Sequence, residues 1–224
     1  MIIQNTTFPV AALPRYFDRR SASAKTGLHL LMAAITSMFL LFFLSYILRS
    51  QVADWHALSE PWQPLGQTNQ LWFNSALLIL ASVALELTRW SLNQPEQGNS
   101  RELMWLVGLA TLGFLIGQLT FWSYLASRGY FAATNPANAF FYLLTGLHGL
   151  HLFGGLVAWC IASVRLQRVR RQPSQKSLYL AKLSIDLCAT YWHFLFLLWL
   201  LLFTLLSSSP GTYAAIAEFC GFGG

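Results

Sequence analysis

Long apolar runs separated by short polar segments dominate this chain. Each run holds about 20 residues or more, enough for an α-helix to cross a hydrocarbon core about 30 Å thick, and none contains an internal proline. Hydrophobic and polar residues do not alternate along the runs, which excludes the strands of a membrane barrel. The pattern predicts an all-α, polytopic membrane protein, a bundle of five transmembrane helices. The runs are Leu28–Leu48, Leu71–Leu92, Leu103–Leu125, Ala139–Val164 and Leu183–Leu206.

The composition excludes an ordinary water-soluble domain. Hydrophobic residues make up 55% of the chain and charged residues only 10%, whereas roughly a quarter of the residues of soluble domains are charged. We expect residues 1–26 to form a cytoplasmic N-terminal segment, residues 27–207 the transmembrane domain, and residues 208–224 an external C-terminal tail. Residues 1–26 lack the apolar core of a cleaved signal peptide and contain two prolines, so the first helix is expected to be an uncleaved anchor.

The basic residues predict the orientation of the bundle. Twelve of the 14 lie on the side of the N-terminus and only Arg49 and Arg128 lie on the other, so the positive-inside rule places the N-terminus in the cytoplasm and the C-terminus outside. The net charge of +6 is therefore explained by topology, and no nucleic-acid site is expected. Anionic lipid headgroups are the expected partners of the cluster RLQRVRR. The twelve are Arg15, Arg19, Arg20, Lys25, Arg89, Arg101, Arg165, Arg168, Arg170, Arg171, Lys176 and Lys182.

The three cysteines do not form a metal-binding pattern. Cys160, Cys188 and Cys220 include no CxxC or CxxCH spacing. Two of them fall within predicted helices, where a cysteine commonly behaves as a small hydrophobic residue. We therefore expect neither a thiolate copper site nor an iron–sulfur site.

Polar side chains inside the apolar runs are the candidate functional residues, because they are costly at bilayer depth unless they have partners. In the fourth run His148, His151 and Gly155 follow steps of three and four and share one helical face. In the fifth run Asp186 and His193 share a face in the same way. These faces are expected to meet other helices, since the opposite faces are rich in Leu and Phe.

The second run carries a carboxylate, and the third run carries a face of small residues. Glu86, near the end of the second run, is close enough to water to extend toward it and toward Arg89. In the third run Ala110, Gly113 and Gly117 form a face of small residues. Small residues let helix backbones approach closely, so this face is expected to pack against another helix.

The histidines leave two cofactor interpretations open. His148, His151 and His193 with Asp186 are ligand types of a zinc or iron site, although the first two are only half a site and Asp186 lies two turns from His193. A bis-histidine haem would need His151 with His193, or His29 with His148, on opposite faces of the porphyrin.

A third interpretation assigns these residues to helix packing. Tyr191, Trp192 and the histidines would then form interhelical hydrogen bonds, worth about 1 kcal/mol each, and contacts with lipid headgroups. A transporter is disfavoured, because the runs lack the Pro and Gly interruptions that mark substrate sites near the midplane. This interpretation favours a scaffold protein.

Four strings resemble subunit III of the haem-copper terminal oxidases, the cytochrome c and quinol oxidases of respiratory chains. They are TGLHGLHLFGG, YWHFLFLLWLLLF, NSALLILAS and SYILR. The resemblance covers Gly27 to Leu206 and is carried most specifically by the HGLH and YWH strings. It implies the five-helix bacterial form of the family, in the bacterial plasma (inner) membrane.

The resemblance implies a non-redox accessory subunit without a catalytic centre or metal site of its own. Haem and copper would belong to partner subunits, and this chain would bind phospholipid and stabilise subunit I in a complex that also contains subunit II. His148, His151, Tyr191, Trp192 and His193 match the family motif. The candidate lipid-binding or helix-interface residues are His148, His151, Gly155, Asp186, Tyr191, Trp192, His193 and Glu86.

Two positions depart from the family pattern. Family members usually have a Ser-Glu pair where this chain has Ala34, and an aspartate after YWHF where it has Phe196. An embedded carboxylate is the group that could relay protons. We therefore expect contacts with lipid and subunit I rather than proton transfer. An accessory subunit of a nitric oxide reductase and a bis-histidine membrane cytochrome remain the alternatives.

Overall fold

The computed structural model describes residues 13–52, 69–92, 94, 99–134, 136–208, 210–219 and 221. Every regular element within these residues is an α-helix, which confirms the all-α prediction. Residues 53–68, between the first two apolar runs, lie outside the described part of the chain, as does Cys220. The helices are α1 (Leu13–Arg49), α2 (Asn69–Ser91), α3 (Ser100–Ser127), α4 (Pro136–Arg171), α5 (Gln175–Ser207) and α6 (Pro210–Phe219).

Five of these helices are long and apolar enough to cross a membrane, as the sequence predicts. Some helices extend well beyond the apolar runs: α1 begins at Leu13, and α4 continues to Arg171. The reason is that apolarity marks only the part of a helix within hydrocarbon, whereas Arg, Lys and Ala continue a helix readily in water. The candidate spans are Ser21–Arg49, Gln70–Ser91, Ser100–Ser127, Pro136–Val169 and Gln175–Ser207.

The small-residue face of α3 packs against α2. A β-carbon at Gly113 would lie 3.3 Å from Cδ1 of Leu77, and one at Gly117 would collide with Oδ1 of Asn74. The Gln70 side-chain amide also donates to the Gly117 carbonyl oxygen at 3.0 Å. The two backbones therefore approach as closely as glycine permits, as expected for helix pairs in membranes.

Helix α5 contacts α1, α2 and α4, and its large aromatic residues fill the centre of the bundle. The ring of Trp199 meets Phe114 of α3 edge to face, with centroids 4.8 Å apart. Its indole N–H donates to Oγ of Ser75 on α2 at 2.9 Å. Trp192, about two helical turns before Trp199, is 1% exposed. Helices α2 to α5 thus share one core.

Helix α6 folds back over one end of the bundle. Residues 208–224 are expected only as an external tail, but Tyr213 and Ala217 of α6 are buried. The ring of Tyr213 meets that of Tyr46 on α1 at 5.4 Å, and its hydroxyl donates to the Leu205 carbonyl oxygen at 2.6 Å. We call this the tyrosine end. The opposite end, where α1, α3 and α5 begin, is the basic end.

Candidate functional site

A cluster of charges joins three helices at the basic end. The Asp186 carboxylate on α5 accepts from Nη2 of Arg89 on α2 at 2.6 Å, and its other oxygen lies 3.3 Å from Nζ of Lys25 on α1. Nη1 of Arg89 also donates to both oxygens of Glu86, at 3.0 and 2.9 Å. Charge-assisted hydrogen bonds of this kind are among the stronger ones in proteins. The cluster therefore ties the peripheral α1 to α2 and α5.

His193 lies at the edge of this charge cluster. Its Nδ1 is 2.6 Å from the Ala189 carbonyl oxygen, so Nδ1 carries the proton. Its Nε2 faces Oε2 of Glu86 at 4.0 Å. The structure thus brings together Glu86, Asp186 and His193, three of the residues that the sequence singles out.

The charge cluster borders a cavity of about 370 Å³ between α1, α2 and α5. Three basic side chains line this cleft against one acidic side chain, so its lining is net positive. Apolar side chains complete the wall, which leaves room for both a charged group and hydrocarbon. The lining residues are Ser21, Lys25, Arg89, Leu92, Tyr179, Lys182, Leu183, Ile185 and Asp186.

His148 lies in the centre of the bundle. Its surroundings are aromatic, whereas charged side chains line the cleft. Its side chain is fully buried, between Phe114 of α3 at 6.0 Å and Trp199 of α5 at 5.3 Å between ring centroids. Neither ring nitrogen has a hydrogen-bond partner among the described residues. The ring therefore acts as a packing element that joins α3, α4 and α5.

His151 has a different neighbour. Its Nδ1 lies 2.7 Å from the Leu147 carbonyl oxygen, and its ring meets Phe39 of α1 with centroids 5.7 Å apart. The Tyr191 hydroxyl of α5 donates to the His151 carbonyl oxygen at 3.2 Å. The single stripe expected for His148 and His151 is therefore divided between two surfaces, because three residues fall about 60° short of a full helical turn.

Gly155 of α4 lies against the ring of Trp192 on α5. A β-carbon there would lie 2.8 Å from Cζ3 of Trp192. The indole of Trp192 is 1% exposed, and its N–H has no partner among the described residues. The Gly155 and Trp192 pair therefore depends on shape rather than on hydrogen bonding.

The described residues contain no group of three His, Cys, Asp or Glu side chains that could hold a metal ion. His148 lies among aromatic rings, His151 faces Phe39, and His193 faces Glu86, so these three imidazoles do not converge. His29 is exposed, whereas His148 is fully buried.

Sequence reasoning did not find the partners of Asp186. The sequence does contain a signal for these ion pairs, because Lys25, Arg89 and Asp186 all lie near the same predicted side of the membrane. Arg165 of α4, which donates to Oγ of Ser184 on α5 close to the same end, was also missed as a contact. These contacts depend on how the helices are arranged around one another, which periodicity does not specify.

Known proteins resemble this chain over most of its length. A family profile described as Cytochrome c oxidase subunit III matches residues 18–208. Cytochrome c oxidase subunit 3 of Thermostichus vulcanus is 30% identical over 183 residues, which cover 80% of this chain and 84% of that protein. The same subunit of Alkalihalophilus pseudofirmus is 28% identical over 203 residues, which cover 86% of this chain and 91% of that protein.

A mycobacterial protein matches a shorter part of the chain. A probable cytochrome c oxidase subunit 3 of Mycobacterium bovis is 37% identical over 98 residues, which cover 44% of this chain and 45% of that protein. The profile match contains every candidate residue from Glu86 to His193, which confirms the resemblance seen in the sequence. The chain therefore belongs to the cytochrome c oxidase subunit III family.

Proposed function

We propose that this chain is the non-redox accessory subunit III of a respiratory haem-copper terminal oxidase, where it stabilises subunit I and holds phospholipid. The observation that carries the proposal is the net-positive cleft beside Asp186, between α1, α2 and α5. Its apolar wall suits an acyl chain, and its basic side chains suit a lipid phosphate. An accessory subunit that binds lipid in this way needs no redox centre.

The ion pairs explain how such a cleft can stay open. Asp186 neutralises part of the positive charge of Lys25 and Arg89 and holds α1 at a fixed distance from α2 and α5. Lys182 adds a further positive charge to the lining. The net charge of the lining would attract a lipid phosphate, and the lipid would in turn fill the space between the helices.

Electron transfer and oxygen reduction are assigned to the partner subunits. Among the described residues no group of three His, Cys, Asp or Glu side chains could hold a metal ion, and His151 faces Phe39 while His193 faces Glu86, which favours the accessory role over the metal and bis-histidine alternatives. The relatives reported above carry the name cytochrome c oxidase subunit 3, and none is named for nitric oxide reductase. We therefore keep the oxidase assignment, with haem and copper in subunits I and II.

The proposed setting is the bacterial inner membrane, with the basic end in the cytoplasm. The support is the distribution of twelve basic residues on that side against two on the other. Cysteine-scanning accessibility in right-side-out vesicles tests this orientation. Labelling of a cysteine at Lys176 by an impermeant maleimide in intact vesicles would contradict it.

Co-purification tests the partner assignment. A tag on this chain, with extraction in mild detergent, should recover polypeptides that carry haem and copper in a fixed ratio to it. The matched control is the same tag on an unrelated five-helix membrane protein. Recovery of the chain without any haem-bearing polypeptide would overturn the proposal.

A further inference from the structure

A second groove lies on another face of the bundle, between α3 and α4 at the basic end. Its volume is about 190 Å³, and Met104, Trp105, Trp159 and Leu166 give it an apolar lining. None of the residues that line the cleft beside Asp186 lines this groove. The two sites are therefore separate.

Contacts with α3 hold Trp159, which forms one wall of the groove, in place. The indole N–H of Trp159 donates to the Met104 carbonyl oxygen at 2.9 Å, and its ring meets Trp105 edge to face at 6.3 Å. A β-carbon at Gly108 would collide with the Trp159 ring, so glycine leaves the space in which the indole lies across α3. These contacts fix the position of Trp159 as one wall of the groove between α3 and α4.

Basic side chains stand at the mouth of the groove. Arg101 lines the groove itself, and Arg168 and Arg171 line an adjoining cavity of about 410 Å³ that shares Val164 and Gln167 with it. No acidic side chain is among the described residues that line either cavity. Within the described part of the chain, none of the three arginines forms a salt bridge. Among the described residues, the mouth therefore carries positive charge without a paired carboxylate.

An unpartnered hydroxyl lies between the charged and apolar parts. Ser163 lines the groove, and its Oγ is shielded from solvent but has no hydrogen-bond partner among the described residues. Shielded polar groups in proteins are nearly always paired. A rotation of the Ser163 side chain toward the groove would let its hydroxyl pair with an ester or glycerol oxygen of a bound lipid, below a phosphate held by the arginines.

We propose that this groove is a specific site for one anionic phospholipid, with its acyl chain along Trp105 and Trp159 and its phosphate against Arg101, Arg168 and Arg171. An anionic lipid fits better than a zwitterionic one because the described lining of the two cavities contains three arginines and no carboxylate. The site does not depend on the proposed role in an oxidase. The sequence pattern assigns the cluster RLQRVRR only a general affinity for headgroups, whereas the structure assigns it a defined lipid position.

Native mass spectrometry of the full chain with its co-purifying partners tests this site. The probes are phosphatidylglycerol and phosphatidylcholine added in equal amounts. R168Q/R171Q should bind the phosphatidylglycerol of this groove about 25-fold more weakly than the wild type and so retain one fewer of these lipids, because each basic residue near a lipid surface contributes about a five-fold factor. The matched control R19Q/K176Q removes two exposed basic residues of the basic end that line neither site.

A steric variant tests the apolar part without changing charge. C160W places an indole in the groove, which Cys160 lines, and I161W places one on the neighbouring lipid-facing surface of α4. C160W should lose the lipid and I161W should keep it, with equal melting temperatures in lipid-free detergent. Equal retention of both lipids by the wild type, or equal retention by all variants, would overturn the proposal. Loss of phosphatidylglycerol on K182Q, with full retention by R168Q/R171Q and C160W, would place anionic-lipid binding in the cleft beside Asp186 alone and would also overturn the proposal.

Discussion

The Asp186 carboxylate accepts a hydrogen bond of 2.6 Å from Arg89, a residue on a different helix and 97 positions away in the chain. Lys25 of a third helix lies 3.3 Å from the other oxygen of the same carboxylate. One carboxylate thus joins α1, α2 and α5 beside the proposed lipid cleft. Its removal would leave two cations facing each other across that cleft.

The first prediction concerns Asp186→Asn. This change should lower the free energy of unfolding by about 1 kcal/mol, a value near that of partly exposed ion pairs because the side chains are 31% to 52% exposed. Cysteine labelling near the start of α1 should increase. Unfolding in mixed micelles measures the first effect and maleimide labelling the second. Glu102→Gln is the control, since Glu102 is an exposed acid of α3, and equal behaviour of both variants would contradict the role of Asp186.

The second prediction uses two adjacent glycines of α4. Gly155→Leu should destabilise the protein by about 1–3 kcal/mol, because the new side chain meets the Trp192 ring. Gly154→Leu should be neutral or slightly stabilising, since nothing lies within 4 Å of a β-carbon there and leucine favours helices over glycine. Thermal unfolding of both variants in detergent measures the contrast. A loss of stability that is equal in the two would show that α4 does not pack on α5 at Gly155.

The third prediction separates packing from ligation at His148. His148→Phe should preserve folding and the spectrum of any co-purified haem, because an aromatic ring still fills the space between Phe114 and Trp199. His148→Ala should cost roughly 2–5 kcal/mol through the cavity that it leaves. Unfolding measurements and haem spectra of the purified complex provide the comparison. Loss of a haem signal in His148→Phe at unchanged folding would assign His148 a ligand role.

The fourth prediction concerns the closure of the tyrosine end by α6. Burial raises the pKa of Tyr213 above its ordinary value of 10.0, and the hydrogen bond with Tyr46 lowers it by less. A tyrosine whose pKa is raised by folding contributes stability that is present below pH 10 and is lost as the pH rises through the folded pKa. Alkaline unfolding of the wild type should therefore be steeper above pH 10 than that of Tyr213→Phe. Identical alkaline transitions would contradict the burial of Tyr213.

The sequence contained enough information to predict the five spans and their order. A run of about 20 apolar residues without proline has one stable conformation in hydrocarbon, so local composition decides the element. The packing faces of α3, with Gly113 and Gly117, and of α4, with Gly155, were also predictable, because small residues repeat with helical spacing. These features depend only on neighbours in the chain.

The remaining features depend on contacts between distant segments. Helix α6 is short, and its stability comes from Tyr213 packing against Tyr46, 167 residues away, which no local pattern reports. The groove at Trp159 likewise requires Gly108 on another helix. The division of His148 and His151 between two surfaces follows from where Phe39, Phe114 and Trp199 lie. Such contacts are set by the arrangement of whole helices.

The most direct test of the account measures metal and haem in this polypeptide alone. The tagged chain is purified with its partners, dissociated in stronger detergent, and examined by reduced-minus-oxidised spectroscopy and by iron and copper analysis. The account predicts haem bands and both metals in the intact complex and neither in the separated chain. Stoichiometric iron or copper that remains with the separated, folded chain would contradict it.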